Sequence, residues 1–198
     1  MAEITIYPET KALIFDIDGT LVDTMPVHYK ACQLVCNQYG FDFPLDFFYK
    51  YAGVPTLKTF EMLVKELNLN LDGVALGKLK EEKYVELIHE VKPLEEVFEV
   101  ARHYHGILPM SLGTGSTREI AKKTLTAAGI LEMFDIIVTA DDVENHKPFP
   151  DTFLLCAERM GIDPKYCQVF EDADPGLHAA KTAGMMFTDI RMFVNENR

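Results

Sequence analysis

Positive charge is what this chain lacks most. Its 198 residues carry 19 Lys and Arg against 31 Asp and Glu, a formal net charge of -12. Nucleic acids and anionic membrane surfaces need a basic face, so neither is expected as a partner. A small anionic substrate stays open, because a few local cations and a metal can reverse the potential inside one cleft. Long apolar runs are missing too: none approaches the roughly 20 residues of a membrane-spanning helix. Residues 1–8 have neither the basic nor the apolar block of a secretory signal, so the expected location is the cytoplasm. Cysteine is sparse, at Cys32, Cys36, Cys156 and Cys167. The first two lie four apart on a helical pattern, but no second Cys/His pair has matching ligand spacing. Buried, reduced, structural cysteines are therefore expected rather than a zinc site or disulfides. Repeats and low-complexity tracts are absent, and no protein partner is evident.

What is present is an alternating pattern. Hydrophobic residues make up 48% of the chain, enough for a packed core. Apolar runs at residues 12–15, 110–113, 136–139, 168–170 and 185–188 read as strands. Helical patterns at 117–128, 151–160 and 177–183 fall between the last four, with Asp151 as an expected cap and Gly184 as a stop. Strand and helix in alternation predict an α/β fold, a parallel sheet with crossover helices. Residues 24–92 break the rhythm with helical patterns at 27–39, 47–51, 56–67 and 76–90 and no strand. An all-helical unit inserted after the first strand is expected, with connections near Asp23-Thr24 and Val91-Lys92-Pro93. The implied division is residues 1–23 with 93–198 as a core, and 24–92 as a cap over the cleft.

The reactive groups gather where the strands end. Phe15 is followed by Asp16-Ile17-Asp18-Gly19-Thr20, two carboxylates at a turn. Acids held together without a cation repel and raise each other's pKa, and a divalent metal relieves that. The second strand gives Gly113-Thr114-Gly115-Ser116-Thr117 opening a helix, where hydroxyls and free amides suit a phosphate oxygen. It is no Walker loop, since no Gly-Lys-Ser/Thr follows. The third gives His146-Lys147-Pro148-Phe149-Pro150-Asp151, and the fourth gives Phe170-Glu171-Asp172-Ala173-Asp174-Pro175-Gly176. Each cluster alone has an ordinary explanation: turn chemistry with a Ser or Thr cap, a solvated lysine, an acidic helix start. Chance produces each separately, but rarely all at one edge of a parallel sheet, the edge where ligands bind.

In these residues the chain resembles the haloacid dehalogenase superfamily. Asp16-Ile17-Asp18-Gly19-Thr20 is similar to its first motif, Thr114 to the second, Lys147-Pro148 to the third and Glu171-Asp172 to the fourth. Lys-Pro-x-Pro-Asp and the run from Glu171 through Asp174-Pro175-Gly176 resemble the β-phosphoglucomutase-like branch. Gly113–Ser116 and residues 147–156 resemble its bacterial fructose-1-phosphate phosphatases. The resemblance covers essentially the whole chain and implies a Rossmann-like core with a helical cap. It implies Asp16 as a nucleophile that forms an aspartyl-phosphate, and Asp18 as proton carrier. It implies Mg2+ on Asp16, Asp172 and the Asp18 backbone carbonyl, with Glu171 as a further ligand. Lys147 and Thr114 would offset charge around phosphorus, with Gly115 and Ser116 beside them.

Two cap residues bear on substrate. His28 stands where sugar-phosphate mutases of the branch carry a functional histidine. Thr56 stands where the mutase-like pattern has an arginine for a second phosphate, and threonine cannot replace a bidentate cation. Lys58 would be the nearest stand-in. The expected enzyme is thus a phosphatase of a small sugar phosphate such as fructose 1-phosphate. A β-phosphoglucomutase is the alternative, and a non-catalytic binding module of the same fold is the alternative of another class. His103 and His105, Asp141-Asp142, Met185-Met186 and the cap aromatics Phe41, Phe43, Phe47, Phe48 and Tyr51 are read as structural, with a substrate-facing subset open among the aromatics.

Overall fold

The computed structural model of the protein describes residues 4–194. In chain order its strands are β1 (Ala12–Phe15), β2 (Val22–Asp23), β3 (Lys92–Pro93), β4 (Met110–Gly113), β5 (Ile136–Val138), β6 (Cys167–Glu171) and β7 (Met186–Asp189). Its helices are α1 (Met25–Gln38), α2 (Leu45–Lys50), α3 (Thr56–Glu66), α4 (Gly73–Leu87), α5 (Glu95–Tyr104), α6 (Arg118–Ala127), α7 (Asp151–Met160) and α8 (Asp174–Thr182). No helix among them is long and apolar enough to cross a membrane.

Five strands form a parallel sheet in the order β5-β4-β1-β6-β7. β1 is central because all four of its residues are apolar and covered on both faces. Alternate residues serve different cores. Leu13 and Phe15 point to the side packed by Val97 and Ala101 of α5 and Ile120 and Leu125 of α6. Ala12 and Ile14 point to the side packed by Phe153 and Ala157 of α7 and Ala179 and Ala180 of α8. Phe15 also stacks on Phe170 of β6, with ring centroids 4.8 Å apart. The strand order reverses about β1, and the crevice past that reversal is where ligands bind in open α/β sheets. Asp16 is the first residue beyond it.

Helices α1–α4 lie between β1 and the rest of the sheet, with α4 packed on α1 and α3. Cys32, Val35, Phe43, Phe47, Phe60, Leu63 and Leu76 form their own core. The two connections pair with each other, since β2 is antiparallel to β3 through Val22–Pro93 and Asp23–Lys92. The local signals explain the differences from expectation. α1 starts two residues early because Pro26 is tolerated in a first turn, where its missing N–H is not needed. β6 runs on through Glu171, and α8 begins at Asp174, so the acidic loop is only Asp172 and Ala173. Asp151 opens α7 instead of capping it. Helix α5 has no counterpart among the expected elements, although Val97, Phe98, Val100, Ala101 and Tyr104 recur at helical spacing and pack on the core. All four cysteines are free and buried. His103 and His105 are exposed, and Asp142 is taken by Arg159 at 2.9 Å and by Arg118.

Candidate active site

The loop after β1 is closed on itself. Leu21 and Val22 both donate backbone N–H groups to the Ile17 carbonyl, at 3.1 and 2.9 Å, and Gly19 donates to that of Val22 at 2.9 Å. Gly19 has φ +84°, and a Cβ there would lie 2.4 Å from Asp172 Oδ2. Glycine is therefore required twice over, for the turn and for the approach of Asp172. The Thr20 hydroxyl donates to Asp172 Oδ1 at 2.9 Å. The first strand's loop and the loop after β6 are thereby locked together.

Lys147 is buried between two carboxylates. Its Nζ donates to Asp16 Oδ1 at 2.6 Å and to Glu171 Oε2 at 3.0 Å, and its side chain has no solvent exposure. Burial alone would discharge this ammonium, but the charges of Asp16 and Glu171 hold its pKa above the ordinary lysine value. Glu171 Oε1 also accepts the Ala173 backbone N–H at 3.3 Å. Asp16, Glu171 and Asp172 each place a carboxylate oxygen within 4.8 Å of the others. Burial and the Glu171 charge push Asp16 well above the usual carboxylate range, against the pull of Lys147. Burial raises Glu171 to about 7, and burial with the Asp16 charge raises Asp172 to about 7. Three acids share one ammonium, an arrangement that suits an added divalent cation with oxygen ligands.

Asp18 is not a member of that trio. Its Oδ2 accepts the Ser116 hydroxyl at 2.8 Å and the Thr114 hydroxyl at 3.3 Å. Its Oδ1 meets His28 Nε2 of the cap at 3.1 Å. On the far side of the ring, Lys80 Nζ lies 2.7 Å from His28 Nδ1. An ammonium has donors only, so Nδ1 accepts and the ring's own proton sits on Nε2, donated to Asp18. Burial works to raise the Asp18 pKa, but the hydrogen bonds it accepts from His28 and from the Ser116 hydroxyl outweigh it and hold it below the usual range. Burial and Lys80 lower His28, and burial lowers Lys80. The sequence reading missed Lys80. The signal was its place four residues after Leu76 and four before Tyr84, on the buried stripe of α4.

The cleft between cap and core encloses about 610 Å3 of empty space, counted out to its mouth. Asp16, Asp18, Thr114, Gly115 and Ser116 form its floor; Phe43, Phe48, Tyr51 and Phe60 line the cap side. A Cβ on Gly115 would lie 2.1 Å from the Gly53 carbonyl oxygen, so cap and core touch at this glycine. Thr56 lines the cleft and accepts from Lys80 at 3.3 Å. Lys58 does not line it: its side chain is 63% exposed and pairs with Glu61 at 3.8 Å.

The acid trio yields a stability prediction. Acids whose folded pKa is raised keep more protons in the folded state between the ordinary value of about 4 and about 7, so their contribution is lost as pH rises through that window. His28 acts in the opposite sense over the same range, so the informative quantity is a difference between variants. In metal-free protein at pH 8, Asp172→Asn is expected to raise the Tm by about 2–8 °C, from roughly 1–2 kcal/mol of relieved repulsion. At pH 5 the gain should shrink, as calorimetry at the two pH values will read. An equal or lower Tm at pH 8 would mean the trio is not under charge strain.

Comparison with known proteins agrees with this geometry. A model of the haloacid dehalogenase-like hydrolase family matches residues 13–190. The Escherichia coli protein named fructose-1-phosphate phosphatase YqaB is 43% identical over 188 residues, 94% of this chain and 100% of its own. A phosphorylated carbohydrates phosphatase of Thermotoga maritima is 32% identical over 179 residues, 88% of this chain and 82% of its own. The crystal structure of a beta-phosphoglucomutase from Clostridium difficile superposes with a TM-score of 0.81 at 27% identity, covering 90% of this chain and 83% of that one. With its central β1, its acid-bearing turn and a match from one end of the sheet to the other, the chain belongs to the haloacid dehalogenase-like hydrolases.

Proposed function

We propose that this protein is a magnesium-dependent phosphatase that hydrolyses a small sugar phosphate by way of an aspartyl-phosphate on Asp16. The observation that carries the reading is the division of labour between the two aspartates. Asp16 is pinned through Oδ1 by Lys147, which leaves Oδ2 as the attacking atom. Asp18 stands apart on a chain of proton donors. A carboxylate held below its usual range is ionised at neutral pH, so Asp18 does not store the proton that the leaving oxygen needs. His28 Nε2–H is placed to pass one to it, with Lys80 resupplying Nδ1. When water then attacks the phosphoryl group, Asp18 takes the water's proton and returns it along the same chain. Lys147 stays charged throughout and offsets the negative charge on the transferring group.

The acid trio fits a magnesium ion: three buried carboxylates bring oxygen ligands within 4.8 Å of one another, with Lys147 as the one ammonium paired to Asp16 and Glu171. Asp16 and Asp172 would hold it, with Glu171 and the Asp18 backbone carbonyl as further donors, and it would supply positive charge at the phosphate oxygens.

The cap favours a phosphatase over a phosphomutase. Among the described residues no guanidinium lines the cleft, and its one cap-side ammonium, Lys80, is engaged by His28 and Thr56. A second phosphate would therefore meet aromatic rings and hydroxyls. The relative named a fructose-1-phosphate phosphatase supports that sugar as the first substrate to try. The test is a panel of sugar phosphates, with and without magnesium, scored for both phosphate release and isomerisation. Magnesium-dependent release of phosphate from a hexose or pentose monophosphate is the expected result. Isomerisation that needs a bisphosphate activator would replace this reading with the mutase, and turnover of no ester would leave only the binding module.

A further inference from the structure

Tyr84 is the largest side chain among those with no solvent exposure, and the catalytic reading leaves it without a task. It sits on α4 one turn after Lys80. Its ring lies parallel to the His28 imidazole, with centroids 3.9 Å apart and planes 6° from coplanar. Lys80 Nζ is 5.3 Å from the Tyr84 ring centroid. Its hydroxyl meets Thr124 Oγ1 at 2.8 Å, and Thr124 is itself fully buried. Thr124 belongs to α6, the crossover helix between β4 and β5, so this hydrogen bond joins the inserted helices to the core.

His28 is thus held at three points: Nδ1 by Lys80, Nε2 by Asp18, and one face by Tyr84. Two in-plane hydrogen bonds fix a ring's rotation but leave it free to tip about the line joining them. A flat aromatic face removes that freedom. Packing alone would be served as well by Phe or Leu, whereas a buried hydroxyl costs about 1–3 kcal/mol unless it is paired. The pair to Thr124 is what gives this tyrosine a fixed place on the core.

We propose that Tyr84 is a positioning residue: anchored to the core by Thr124, it holds the His28–Lys80 pair in line with Asp18. The proposal rests on the phosphatase reading above, in which Asp18 receives its proton from His28. The first half-reaction breaks the bond between phosphorus and the ester oxygen, forms the bond between phosphorus and Asp16, and delivers one proton to the departing oxygen. A sugar alkoxide needs that proton; a nitrophenolate, a stable anion in neutral water, does not. Misplacing His28 should therefore harm the two leaving groups unequally.

The test compares kcat/KM for fructose 1-phosphate, or the best sugar phosphate of the panel, with that for p-nitrophenyl phosphate. Tyr84→Phe and Thr124→Val are expected to lower the sugar-phosphate value by about 10-fold, mostly in kcat, and the nitrophenyl value by less than about 2-fold. Thr124→Ser keeps the hydroxyl and should stay within about 2-fold of wild type on both. In a His28→Ala background, Tyr84→Phe should add no further loss, because its effect passes through the histidine. If Thr124→Val fails to fold, Tyr84→Phe carries the test, since it deletes one oxygen and keeps the ring.

Equal losses on the two esters, losses that add to His28→Ala, or wild-type kinetics in Tyr84→Phe would each overturn the proposal. A wild type that turns over no ester would instead overturn the phosphatase reading. The His28 nitrogen-15 resonances then decide the positioning claim without turnover. A single tautomer protonated at Nε2 in wild type that becomes averaged in Tyr84→Phe supports it, and identical spectra sink it.

Discussion

Asp16→Asn is expected to lose sugar-phosphate hydrolysis by at least about 10^4-fold while keeping its fold, an effect of the size seen when a nucleophile is removed from a group of residues that act as a unit. An amide has no anionic oxygen to attack phosphorus, yet it has nearly the carboxylate's shape, so β1 and its turn need not move. Lys147 keeps Glu171 as a partner at 3.0 Å. The trio also loses one of its mutually repelling charges, so the Tm should stay within a few degrees of wild type. Steady-state kinetics beside calorimetry on the same preparation check both halves. Substantial turnover by the variant would remove Asp16 from the role of nucleophile, and a large fall in Tm would mean that its carboxylate serves the fold first.

Lys147→Met should fail in both respects. Methionine matches the length of the stem, but three acids would then lie within 4.8 Å of one another with no ammonium among them. Removing one partner from a buried ion pair costs about 3–5 kcal/mol, which for a domain of this size lowers the Tm by roughly 6–20 °C. Activity should be lost as well, because the charge beside the transferring phosphoryl group goes with the side chain. The pH dependence follows from the carboxylates. Glu171 and Asp172 already titrate near 7 with the lysine present, and its removal raises them further. Carboxylates with a raised folded pKa stabilise the fold below their unfolded value and lose that contribution as pH rises through the folded one. The Tm deficit of Lys147→Met should therefore be smallest near pH 5 and largest above pH 8, and added magnesium should recover part of it at the higher pH. A deficit independent of pH would point to lost packing of the lysine stem against Phe153, whose ring centroid lies 4.7 Å from Nζ.

Much of the core was legible because its signals are local and repeated. Four apolar runs, each ending in a reactive loop, determine a parallel sheet and place every loop at one edge. The sheet brings Asp16, Lys147, Glu171 and Asp172 together as that pattern requires. The boundaries erred where one residue decides a register: β7 starts at Met186 because Met185 packs beneath the sheet with α8. Asp18 is a subtler case. Two residues from Asp16, it reads as the second half of a repelling pair, whereas the turn sends its carboxylate to Ser116, Thr114 and His28. The strain on Asp16 comes chiefly from burial and Glu171, 155 positions away. Lys80 and Tyr84 were the least legible. Their spacing from Leu76 marks both as inward-facing on α4, but what they meet there is set only when the opposing His28 is placed in space, and that depends on how α4 packs on α1.

In the proposed mechanism phosphate passes through a covalent bond to Asp16. Its most direct test is to mix the enzyme with sugar phosphate and magnesium, quench in acid within the first turnover, and map the added phosphoryl group by peptide mass spectrometry. A phosphoryl group on Asp16 is expected to appear and decay at rates compatible with turnover, and to be absent from Asp16→Asn. Phosphate released at full rate with no phosphoenzyme at any time, or a phosphoryl group on a different residue, would contradict it.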